Sequence, residues 1–137
     1  MITGIGNAIS AQVKLTNDAN TYRLAIDKYK ESLSIFPNFN ALDNWGASLM
    51  NLSNLEGNSQ LLDEAKCKIM EAKLINDKPS YNLACLYALH RDFSNCKKEL
   101  YNCLKAGTLP EKNFIENDID LVSIREEDWY KELLKKI

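Results

Sequence analysis

The chain of 137 residues is poor in the two residues that break helices, with 5 glycines and 3 prolines. That scarcity suits long helices joined by short turns. It lacks a basic surplus, having 17 Lys and Arg against 19 Asp and Glu for a formal net charge of −2. There is thus no electrostatic ground for a nucleic-acid or anionic-membrane partner. No apolar run approaches the ~18 residues that a membrane span needs. The start, MITGIGNAIS, has no basic stretch ahead of an apolar one, so no secretory leader is expected and the cytoplasm is the default compartment. His90 is the only histidine, and no serine or cysteine nucleophile can be paired with it. It falls at the end of a helical stretch, where a cationic side chain is favoured. No acid–base or nucleophile set converges, which points away from an enzyme.

Metal and cofactor signatures are equally thin. Cys67, Cys85, Cys96 and Cys103 form no CxxC pair and no tight zinc-ligand spacing. All four fall in helical stretches where a small buried side chain would pack, so they read as structural thiols. Gly4-Ile5-Gly6 is a lone GxG with no strand before it, which does not make a phosphate loop. Asp118 and Asp120 resemble the start of a calcium loop, but the glycine and the distal glutamate are missing. No metal and no cofactor are expected.

What the sequence does contain is a repeat. Residues 42–77 lie on residues 2–37 without a gap at a shift of 40, pairing Gly6 with Gly46, Leu15 with Leu55 and Ala25 with Ala65. Lys28 meets Lys68, Glu31 meets Glu71 and Ile35 meets Ile75, while Ile5 and Ile9 answer Trp45 and Leu49. Such self-similarity marks units that cannot bury an apolar face alone and stack to do so. With 45% apolar residues the chain has material for one continuous core.

The apolar spacing predicts helices over residues 2–17 and 22–36, with a polar capping turn at 18–20 between them and Pro37 as the stop. Leu24, Ala25, Tyr29, Leu33 and Phe36 form the expected stripe of the second helix. Residues 39–55 and 60–75 repeat the plan around a Gly57-Asn58 turn. Pro79 suits the first turn of the next helix, over 80–90, with Asp92 capping the return helix over 93–105 and Gly107 ending it. Gly46 to Ala65 spans 19 residues and the matching Ala84 to Cys96 spans 12. The difference is about two helical turns, one for each arm, and leaves the buried face unrotated. After Leu109 the pattern changes to a short helix over 110–116, an irregular stretch over 117–124 and a last helix over 126–137. Trp129, Leu133 and Ile137 there suggest a lid on an otherwise open stack.

These residues resemble the tetratricopeptide-repeat (TPR) family. Trp45-Gly46-Ala47-Ser48-Leu49 and Leu83-Ala84-Cys85-Leu86-Tyr87 fit its first-helix pattern. The second-helix pattern appears as Ala25, Tyr29, Ser32 and Pro37, then Ala65, Ile69 and Ala72, then Cys96, Leu100 and Cys103. Asp77 stands where the exit proline is expected, and the two longer repeats exceed the family's ~34-residue unit. The resemblance implies one all-α domain over 1–137: a right-handed stack of three antiparallel helical hairpins (about 2–37, 39–77 and 79–107) with a C-terminal cap over 109–137. It also implies a concave, non-catalytic groove for a partner peptide, lined by Thr3, Asn7, Ser10 and Lys14, then Asp43, Asn44, Ala47, Met50 and Asn51, then Lys78, Tyr81, Asn82 and Cys85. Amides there could pair with any peptide backbone, since each offers donors and an acceptor. Family members that grip a chaperone's terminal carboxylate use two Lys, two Asn and an Arg. Asn7, Asn44 and Lys78 match, whereas Thr3 and Asn82 replace a Lys and the Arg that would pair with the carboxylate. The expected role is an adaptor or co-chaperone-like protein-binding module. The alternative is a scaffold that self-assembles through its ends, with Ile2, Ile5 and Ile9 as an apolar N-terminal edge.

Overall fold

Helix α1 (Ala19–Ile35) opens the part of the chain that the computed structural model describes, residues 19–137. The expected helix over 2–17 and the residues assigned to it lie outside the described residues. All regular structure among the described residues is helical. No described helix is long and apolar enough to cross a membrane. The chain divides into two compact units, Met1–Lys78 and Pro79–Ile137.

In the first unit α1 is followed by α2 (Phe39–Glu56) and α3 (Gln60–Ile75). Asn38 caps α2, its Oδ1 accepting the Ala41 N–H at 2.7 Å. Gly57 ends that helix at φ 63°, a left-handed conformation in which a side chain would be strained. Gly46 sets the distance between α2 and α3, for a Cβ there would lie 2.4 Å from Ile69 Cγ1 and 3.1 Å from the Ala65 carbonyl oxygen. Ala25, Tyr29 and Ser32 of α1 are buried, as are Ala65, Ile69 and Ala72 of α3. Each trio follows the i, i+4, i+7 spacing of one helical face.

Several expectations for this unit need correction. Helix α1 begins at Ala19, so Asn20 is helical, not part of a turn, and Phe36 lies beyond its last residue. Leu24 and Phe36 are exposed, and Tyr22 and Ile26 take their place in the buried face. Leu24 fails because the buried face, Tyr22, Ala25, Ile26, Tyr29 and Ser32, centres on the Ile26 side of Ala25, which leaves Leu24 about 140° from its middle. Cys67 is exposed too, being two residues and about 200° from Ala65, on the far side of α3.

The second unit contains α4 (Tyr81–Leu89), α5 (Phe93–Ala106), α6 (Lys112–Glu116), the 3-10 helix η1 (Ile119–Ile124) and α7 (Asp128–Lys135). Ser80 is the N-cap of α4, its Oγ accepting the Leu83 N–H at 3.1 Å. Pro79 therefore stands before the cap, not in the first turn. The N–H of Ser80 donates to Glu99 Oε2 of α5 at 2.8 Å. This is the reciprocal half of a capping box, supplied by a distant helix. Asp92 caps α5 through the Asn95 N–H, and Gly107 ends it at φ 71°, both as expected. Cys96, Leu100 and Cys103 are buried in the same i, i+4, i+7 pattern as the trios of the first unit.

The stretch over 117–124 is ordered where an irregular one was expected. Asp118 starts η1 by accepting the Asp120 N–H at 3.1 Å, an Asx turn. Ile115, Leu121, Ile124 and Leu133 have no accessible surface. At about 1.5–3 kcal/mol for each such side chain, their burial is worth roughly 6–12 kcal/mol. Helix α7 is shorter than expected: Tyr130 and Leu133 face inward, while Ile137 is exposed.

Candidate functional site

Of the residues assigned to a groove, Asn7, Ser10 and Lys14 lie outside the described residues. Asp43 and Asn44 sit in the first turns of α2, half-buried, and both take part in polar interactions. Asn51 and Met50 further along the same helix are buried, so they present little to a ligand. Lys78 is half-buried with its ammonium 4.5 Å from the centre of the Phe39 ring, and its carbonyl accepts from Lys73 Nζ at 3.1 Å. Thus the first unit groups Asp43 and Asn44 on one helix and turns Lys78 onto Phe39.

Tyr81, Asn82 and Cys85 fall on α4. Tyr81 and Cys85 are four residues apart and share a face. Both meet the start of η1: the Tyr81 hydroxyl donates to Asp118 Oδ2 at 2.7 Å, and Cys85 Sγ lies 3.8 Å from the same oxygen. The Tyr81 ring stands edge-on to Phe114, 6.2 Å between centres. At the other end of α4, Ser123 Oγ donates to the Ala88 carbonyl at 3.1 Å. Arg125 Nη2 donates to the Asp118 carbonyl at 3.3 Å, while its buried Nε has no hydrogen-bond partner. Burial, then the neighbouring Cys85 and Asp118, push the Tyr81 phenol well above its usual range, so it stays protonated and keeps a proton to donate. Burial likewise raises the Tyr130 phenol.

Cys85 Sγ and carboxylate oxygens of Asp118 and Asp120 converge within 4.8 Å of one another, the types of atom that ligate metals. Here Asp118 already receives the Tyr81 hydroxyl and the Asp120 N–H, and Arg125 brings a positive charge beside it. A closed zinc site would need a fourth donor. Its hydrogen bonds make the cluster an anchor between α4 and η1. Asp118 at the N-cap of η1 and Asp120 within it are both buried, unlike the carboxylates of an open calcium loop. The signal available in the sequence was the Asx-turn pattern of Asp118 and Asp120.

One feature of the first unit has no counterpart among the sequence expectations. A cleft of about 320 Å³ is floored by Ile26, Trp45 and Leu49, with Asp27 and Lys30 on α1 and Glu64 on α3 at its edges. The ammonium groups of Lys68 and Lys30 stand 4.2 and 5.5 Å from the centre of the Trp45 ring, a cation–π arrangement. Arg23 at the cleft's edge is paired with Glu56. No family model, no curated protein and no solved structure gives a significant match to the chain.

Proposed function

We propose that the protein is a non-catalytic interaction module of TPR-like construction, a right-handed stack of helical hairpins that takes a segment of a partner protein on a polar helix face. The observation that carries this reading is the recurrence of one buried pattern, Ala25/Tyr29/Ser32, Ala65/Ile69/Ala72 and Cys96/Leu100/Cys103, in every helix assigned to the second arm of a hairpin. Gly46 against Ile69 supports it, because the resemblance requires a small residue there. Asp43 and Asn44 are the described groove residues best placed to meet a partner's backbone, and an adaptor or co-chaperone-like role in the cytoplasm follows by analogy of fold. The test is retention of a partner from native lysate by the wild type and by an Asn44→Ala/Lys78→Ala variant. Loss of the partner at unchanged oligomeric state is expected; undiminished retention overturns the reading.

A second reading, a self-assembling scaffold, is favoured by the apolar residues left open at the ends of α1 and α3. Ile35 is 67% and Leu74 88% exposed. For a scaffold, Leu74→Glu lowers the mass measured by light scattering; for an adaptor the mass stays the same.

A further inference from the structure

We propose that the chain's own segment from Asp118 to Ser123 is the permanent occupant of α4, closing to partners the face that Tyr81 and Cys85 would otherwise offer. This rests on the partner-binding reading above and confines it to the first unit. Three observations carry it. The segment is fastened near both ends of the helix, by Tyr81 to Asp118 at 2.7 Å and by Ser123 to Ala88 at 3.1 Å, and so runs alongside α4 for about two turns. Leu83, Ala84, Cys85 and Leu86 are all buried. Four consecutive residues at about 100° each sweep nearly the whole circumference of a helix, so α4 keeps no open side there. Finally, Leu121 within the segment is completely buried, as are Ile115, Ile124 and Leu133 of the chain that flanks it, which makes the segment part of the core. Peeling this part of the chain away would uncover Leu121 and its buried neighbours, an apolar area whose burial is comparable in free energy with the whole binding of a micromolar partner. The chemistry agrees, since a partner carboxylate arriving at Tyr81 would find its place taken by Asp118.

The test is amide hydrogen exchange followed by NMR on the full chain, with no partner added. The Asp120 and Leu121 amides, both donating to Asp118, are compared with Ala84 and His90 of α4. A permanent occupant gives rates within about tenfold of one another that rise together in low denaturant, the mark of a single opening event. Exchange at Asp120 and Leu121 more than tenfold faster than in α4 would show a strap that lifts by itself, and would overturn the proposal. Tyr81→Phe supplies a second check. Removing the hydroxyl should quicken both sets by a common factor, whereas quickening of the segment alone counts against it. Because no partner enters these measurements, their failure is distinguishable from a failure of the partner-binding reading, which the lysate experiment detects separately.

Discussion

At Gly46 two effects of opposite sign compete. Alanine is the better helix former by about 1 kcal/mol. Its methyl, however, would fall 2.4 Å from Ile69 Cγ1, a branch atom close to the backbone that cannot simply swing aside. Overpacking of this kind costs about 1–3 kcal/mol, so Gly46→Ala is expected to lower stability by up to about 2 kcal/mol net. A urea midpoint equal to or above that of the wild type would contradict this. Cys96 carries a prediction about pH. Burial, with a smaller contribution from Asp92, pushes its thiol from 9.0 up to about 12. The folded chain therefore holds the proton more tightly than the unfolded chain. This contribution is complete below about pH 9 and is lost between there and pH 12, the loss being on the order of 1 kcal/mol by pH 10. Tyr81 and Tyr130 act in the same direction. Urea titrations at pH 8 and pH 10 should show the loss, and Cys96→Ala should reduce the slope. Single residues were also where sequence reading was weakest. Cysteine's habit of burial placed Cys67 inside, but its angular position on α3 decides the matter and puts it outside.

Helices were legible because their signals are local. The limits of α3 at Gln60 and Ile75, the Asp92 cap and the left-handed Gly107 all follow from chemistry within a few residues. The 3-10 helix over Ile119–Ile124 was not legible, since it depends on Leu121 and Ile124 reaching a core built by other elements. The bond from Ser80 to Glu99 was hidden for a similar reason, its partners being 19 residues apart on different helices. That bond yields a prediction at this scale. Glu99→Ala leaves the buried N–H of Ser80 without its carboxylate and should cost about 1–3 kcal/mol, more than removal of an exposed acid that accepts no such bond. Thermal unfolding of Glu99→Ala beside Glu111→Ala, a change at an exposed position, measures the difference. Equal midpoints would mean that the bond contributes nothing.

For the molecule as a whole, the sequence conveyed the run of helices among the described residues and the existence of an end-piece, but not what that end-piece covers. Composition and period report which faces are apolar; they do not report which face of α4 a later segment occupies. Tyr81 and Cys85 were accordingly assigned to a ligand, whereas Asp118 engages both. A truncation after Ala106 tests how far the second unit depends on its tail. Removal of Ile115, Leu121, Ile124 and Leu133 uncovers α4 and α5, so far-UV circular dichroism should lose more helical signal than α6, η1 and α7 account for. A loss limited to the deleted residues would show that α4 and α5 stand without them.

The encasement of α4 also bears on how the chain could be lengthened. A further hairpin spliced on behind Gly107 would displace the tail and then meet a helix whose sides had evolved to hold that tail. Duplication upstream, where residues 2–37 and 42–77 already echo each other, leaves the terminus untouched, so lineages or engineers lengthening this chain are expected to add copies at its front.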